Sequence, residues 1–283
     1  MKKVTPLFCN LLPIVCLCFA LVICNSQTLL AQQAKSEKPP LNKELLDKYS
    51  GRLEIAYLVP RPAVIQKVLQ GNEFTYTGQI KPNLTKNYSE SIKIALNLGS
   101  RCTDGLMMTY GDQKATDSEL QDLGTTIMKL TEDLGFKDEL KTIDKLKLAL
   151  KNKNQQEIKE SMDLLFDESE QLLRTKGDND LAMLVSLGGW TELMYYASEE
   201  LSKNYQEESS KVLAMDYVVD VYIKALTSLK LFVQDSPTLS AIAEELPKIK
   251  AFMKISPNQP LSKDAVNGIY HIAKNLKQKI EMP

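Results

Sequence analysis

The sequence predicts an all-α protein, a multi-helix bundle or a short stack of antiparallel helical hairpins with about eight to ten helices. Three observations predict it. From Asn87 to the C-terminus, apolar residues recur at the i, i+3, i+4, i+7 spacing of one helix face. Helix-start signals punctuate that pattern, among them Thr116 with Glu119, Asn154 with Glu157, and Ser236-Pro237. The links between helical stretches run to about two to eight residues, and links that short place consecutive helices antiparallel.

The N-terminus is of a different kind. Lys2 and Lys3 precede an apolar run from Leu7 to Cys24, broken only by Asn10 and Pro13, and small and polar residues follow. That order is the pattern of a secretory signal over residues 1–31. Cleavage after Ala31, with Leu29 at the −3 position, is the preferred reading, and cleavage after Ser26, with Cys24 at −3, is the other. The run reaches the lower length limit of a membrane span, so an uncleaved anchor is a competing reading, and the only route by which the sequence meets a membrane. A lipoprotein signal fits poorly, because Val15, Leu17 and Ile23, not small residues, precede Cys16, Cys18 and Cys24. Each version exports the globular part, to the periplasm or beyond. Residues 32–41, with Pro39-Pro40, read as a flexible leader, and residues 42–283 as a single helical domain.

Within that domain, residues 42–71 read as two short helices around the Pro60-Arg61-Pro62 turn. Phe74, Tyr76 and Ile80 alternate over 72–86, as a strand or an extended loop. A helix over 87–111 ends at Gly111. Thr116 and Glu119 form a capping box, in which each side chain satisfies the other's backbone N–H, and Gly135 closes that helix. Helices over 138–151 and 154–177 follow, then 179–203, 209–234, 237–254 and 263–281. Pro237 suits a first helical position, where its missing N–H costs nothing, Ser262 caps the last helix, and Pro247 is expected to kink its own.

Composition limits the function. The chain has 283 residues, 43% hydrophobic and 25% charged, which is globular composition and not that of a disordered tail. Its 35 basic against 36 acidic residues leave no basic surface for nucleic acid. Cys9, Cys16, Cys18 and Cys24 fall inside the signal, so Cys102 alone remains and the fold must rest on its core, without a disulfide. Cys102 and His271 are too few for a structural zinc site. There is no Gly-rich phosphate loop and no Gly-x-Ser-x-Gly elbow, and Asp178-Asn-Asp180 lacks the rest of a calcium loop. No metal, cofactor or catalytic residue is assigned. Asn83-Leu-Thr85 and Asn87-Tyr-Ser89 match glycosylation acceptors, which matter only in a eukaryotic secretory pathway.

Two helices carry the candidate site. On helix 87–111, Asn97, Arg101 and Asp104 share one face (i, i+4, i+7), either lining a groove or forming a solvated edge with an Arg–Asp pair of small weight. Helix 179–203 is apolar nearly all round from Leu181 to Tyr196, as a central buried helix should be. Gly188 and Gly189 each cost about 1 kcal/mol against alanine in a helix interior. Close approach of a neighbouring helix would offset that, with Gly99 and Gly105 as the matching positions. Glu192 sits inside this apolar helix and must be paired or protonated, and Arg101 is the expected partner. The candidate ligand-binding residues are therefore Arg101, Asp104, Trp190, Glu192 and Tyr196. Trp190 reads more readily as core.

Leu98-Gly99-x-Arg101-x-x-Asp104-Gly105 followed by Ser186-Leu-Gly-Gly-Trp190 resembles a group of exported bacterial helical proteins of unknown function. The resemblance covers two helices and the order of those around them, and it implies the fold but no activity. The resulting expectation is a non-enzymatic binding or interaction protein of the cell envelope, its partner an envelope protein or a small ligand. The alternative is a carboxylate-based enzyme or small-ligand binder with a cleft around Glu192, Arg101 and Asp104.

Overall fold

The computed structural model describes residues 74–110, 115–136, 139–229, 233, 235–253 and 259–283, all within the compact unit Leu46–Pro283. The readings of a signal, a leader and two short helices before residue 72 lie outside the described residues. Eight helices pack together, and no strand occurs among the described residues. They are α1 (Ser91–Tyr110), α2 (Asp117–Asp133), α3 (Thr142–Asn152), α4 (Gln155–Thr175), α5 (Asn179–Lys203), α6 (Asp216–Ser228), α7 (Pro237–Phe252) and α8 (Lys263–Glu281). Among the described residues no helix is long and apolar enough to cross a membrane.

The helix starts follow local chemistry. Thr116 and Glu119 form the reciprocal capping box, Asn154 accepts from the Glu157 N–H, and Ser236 and Ser262 cap α7 and α8. Gly135 adopts positive φ, 83°, at the end of α2, as a left-handed closing turn requires. Lys153 does the same job after α3 at φ 55°, where a side chain is strained. Lys153→Gly should therefore raise stability by about 1 kcal/mol, or about 2–4 °C in thermal melting. The exposed contact it forfeits, Lys153 Nζ to Asp117 at 2.9 Å, weighs little against that.

Tertiary packing moved three boundaries. Residues 74–90 are extended without pairing into a sheet, and Phe74, Tyr76 and Ile80 still point inward. Their polar partners are carboxylates of α5: the Tyr76 hydroxyl donates to Glu199 at 2.5 Å and the Thr77 N–H to Glu200 at 2.9 Å. The helix expected over 209–234 is broken. A helical turn Glu207–Ser210 runs into a 3-10 turn Lys211–Leu213, and α6 starts only at Asp216. Ser210 is held by the backbone of Leu261, whose N–H it accepts at 2.8 Å, so a distant segment fixes the chain direction there. Val212, Leu213, Val218 and Val219 are all buried, which is why the apolar pattern runs through the break unmarked. Helix α3 starts at Thr142, later than expected, with the Thr142 N–H donating to Glu168 of α4.

Helices α1 and α5 form the centre. They run parallel: Leu96 meets Gly188 near one end and Asp104 meets Tyr196 near the other. An added Cβ at Gly188 would lie 1.9 Å from the Leu96 carbonyl oxygen, and one at Gly99 would lie 1.8 Å from that of Val185. The glycines thus permit backbone-to-backbone contact, and the Ser100 and Thr103 hydroxyls donate across it to the carbonyls of Gly188 and Gly189. Gly105 has a different role from the one expected, because it faces Met162 of α4 rather than α5. Helix α8 packs antiparallel on α5: Tyr270 stacks on Tyr195, whereas Lys277, nearer the chain end, reaches back to Glu192. On another side of α5, Trp190 packs against Tyr222 of α6, rings 5.4 Å apart, and Ser186 and Tyr222 share a hydrogen bond.

Candidate functional site

The polar face of α1 is neither solvated nor an open groove. Asn97, Arg101 and Asp104 are at most 1% exposed, because the C-terminal turn of α8 lies over them. Burial of that face demands partners, since an unpaired charge there costs several kcal/mol. Four of the expected residues meet at this point. Arg101 Nη2 lies 3.6 Å from Glu192, its Nε lies 3.0 Å from Asp104, and the Tyr196 hydroxyl donates to Asp104 at 2.6 Å. The Arg101–Asp104 contact is one of charge alone, because neither Nε nor Oδ2 has an aligned hydrogen bond among the described residues. Trp190 is not with them. It is 1% exposed on the side facing α6, and its indole N–H has no acceptor among the described residues.

Two residues of α8 complete the cluster. Arg101 Nη2 donates to Glu281 at 2.6 Å, Lys277 donates to Glu281 at 2.7 Å, and Lys277 also pairs with Glu192. Arg101 Nη1 donates to the Asn83 carbonyl at 2.6 Å, tying the extended segment to the same point. Lys277 also lies over the rings of Tyr195 and Tyr196, at 5.5 and 5.8 Å from their centroids. Around them, Asn97 donates to the Ile280 carbonyl at 2.8 Å and the Tyr88 hydroxyl to Asn97 at 3.0 Å. Sequence periodicity could not single out Lys277 and Glu281. They form an i, i+4 pair on a strongly amphipathic helix, where such a pair ordinarily faces water.

Three carboxylates face two cations here. Burial raises the Glu192 carboxyl from its ordinary 4.5 to about 8, Asp104 reinforces the shift, and Lys277 and Arg101 oppose it. Burial works against the charge of Lys277, but Glu192 and Asp104 outweigh it and keep the ammonium protonated above the usual range. Arg101 behaves alike through Asp104, Glu192 and Glu281. Tyr196 is raised by burial and by Asp104, so its hydroxyl remains a donor. One proton retained on Glu192 near neutral pH makes the five-residue cluster formally neutral.

Between about 4.5 and about 8 the folded chain holds a proton on Glu192 that the unfolded chain has lost. The stability this group contributes is complete below that window and is lost as pH rises through it. Glu192→Gln keeps the neutral shape without the titration. Chemical denaturation across that range should show the wild type losing stability relative to the variant as pH rises. Parallel curves would sink the assignment.

A separate cavity of about 550 Å³ opens where α1 and α5 begin, with Leu181, Leu184 and Leu239 in its lining. No residue of the ionic cluster lines it. No group of Cys, His, Asp and Glu placed to hold a metal ion occurs among the described residues. Cys102 is fully buried, and burial raises its thiol further from the reactive thiolate form. The structure therefore defines an all-α bundle around a closed ionic cluster. Compared with known proteins, the chain matches no family model, no curated protein and no solved structure.

Proposed function

We propose that this chain is an exported, non-enzymatic binding or interaction protein of the cell envelope, in the periplasm or secreted. The observation that carries the reading is the closure of the ionic cluster. Arg101, Asp104 and Glu192 are spent on one another and on Lys277 and Glu281, whose side chains, 12% and 15% exposed, form the roof. A substrate could reach Glu192 only by displacing the last turn of α8. The cavity where α1 and α5 begin needs no such displacement, which supports binding over catalysis. The N-terminal pattern of basic, apolar and small residues supports export, and so does the resemblance to exported helical proteins.

The enzyme reading draws support from one observation, the raised Glu192 carboxyl beside Asp104. Mass spectrometry of the protein purified from its native envelope separates the readings. The expected result is a chain beginning at Gln32 that retains a small molecule or a crosslinked envelope partner, equally in wild type and Glu192→Gln. An unprocessed chain that carries neither would overturn the proposal. A bound molecule lost in Glu192→Gln would move the site to the cluster and favour the enzyme.

A further inference from the structure

The cavity at the start of α1 and α5 has an apolar floor and a charged rim. Leu184 and Leu239 are 2% and 0% exposed, and Leu181 packs beside them against the core. Glu90, Asp178 and Asp180 stand at the rim, and none of them forms an ion pair with a described residue. Its volume, about 550 Å³, is within the range of small-molecule sites.

Two effects compete over the charge a ligand should carry. The parallel arrangement brings two helix N-termini to the cavity, and Asp178 does not cap α5 with its side chain. Each helix end counts as about +0.5 of a charge, so the pair offsets about one of the three carboxylates. About two negative charges remain, and they lie beside leucines. We propose that this cavity binds a small amphiphilic organic cation, an alkylammonium whose chain lies on Leu181, Leu184 and Leu239 and whose head meets Glu90 and Asp180. This ligand class rests on the binding-protein reading above and gives that reading a site.

The test uses the full chain and three eight-carbon probes, n-octylammonium, n-octanol and octanoate, each titrated calorimetrically at low and at 0.5 M salt (roughly three times the physiological ionic strength). Octylammonium is expected to bind about tenfold tighter than either of the others. The double variant Glu90→Gln/Asp180→Asn should lose that preference, high salt should weaken it, and the leucine methyl signals should shift on binding. Equal binding of octanol would make the cavity merely apolar. Tighter binding of octanoate would assign it to the helix ends, and sedimentation as a dimer that blocks probe binding would assign it to a second copy of the chain. Each of these overturns the proposal, as does no binding at all. None of them touches the envelope mass spectrometry, so the broader reading stands or falls separately.

Discussion

Gly188→Ala is expected to destabilise the protein by about 3 kcal/mol, although alanine is the better helix former by about 1 kcal/mol. The sign reverses because the new methyl would lie 1.9 Å from the Leu96 carbonyl oxygen and 2.7 Å from its carbon. These are backbone atoms that no rotamer change can move. Helices α1 and α5 would have to separate by more than an ångström along the central contact of the bundle, disturbing the hydrogen bonds from Ser100 and Thr103 as well. Thermal melting should show a fall of about 6–12 °C for a domain of this size. Gly105→Ala is the control. Its methyl would meet only the side chain of Met162, at 3.0 Å or more, and a flexible thioether can yield. If both variants melt together, the close approach is not what the glycine provides.

Arg101→Met is expected to cost about 3–5 kcal/mol, the range for removing one partner of a buried ion pair. The variant leaves Asp104, Glu192 and Glu281 facing Lys277 alone and strips the Asn83 carbonyl of its donor. Arg101→Lys should recover little of this. A single ammonium cannot span Asp104, Glu281 and Asn83 as the planar guanidinium does. The apolar stem of methionine fills much of the same space, so the loss reports charge more than packing. Above about pH 8, where Glu192 loses its proton, adding Glu192→Gln to Arg101→Met should return part of it, by about 1 kcal/mol or more, because one stranded carboxylate is then neutral. Urea denaturation of the four-member cycle measures the coupling. Strict additivity would mean that Arg101 and Glu192 do not act as a unit.

Much of this was legible residue by residue. The capping box at Thr116 and the Asn154 and Ser262 caps follow from side-chain chemistry within three or four positions, which a sequence displays directly. The apolar circumference of α5 marked it as central, and Glu192 within it as a group in need of a partner. The fate of the α1 polar face was not legible. Asn97, Arg101 and Asp104 share a helix face whether that face meets water or another helix. Which of the two applies depends on Ile280 and Glu281, about 180 positions away. The break before α6 was hidden for the same reason, since the Leu261 backbone that holds Ser210 lies far along the chain.

The sequence alone thus determined the helical class, most helix ends and the presence of one carboxylate that an apolar helix cannot leave unpaired. Those properties come from contacts within a turn or two. Only the tertiary structure decided that α1 and α5 run parallel with backbones touching at Gly99 and Gly188. It alone added Lys277 and Glu281 to the ionic cluster, and it separated that cluster from the cavity at the helix starts. Burial in a packed interior is a property of pairs of elements, and a periodic pattern records only which face of each is apolar.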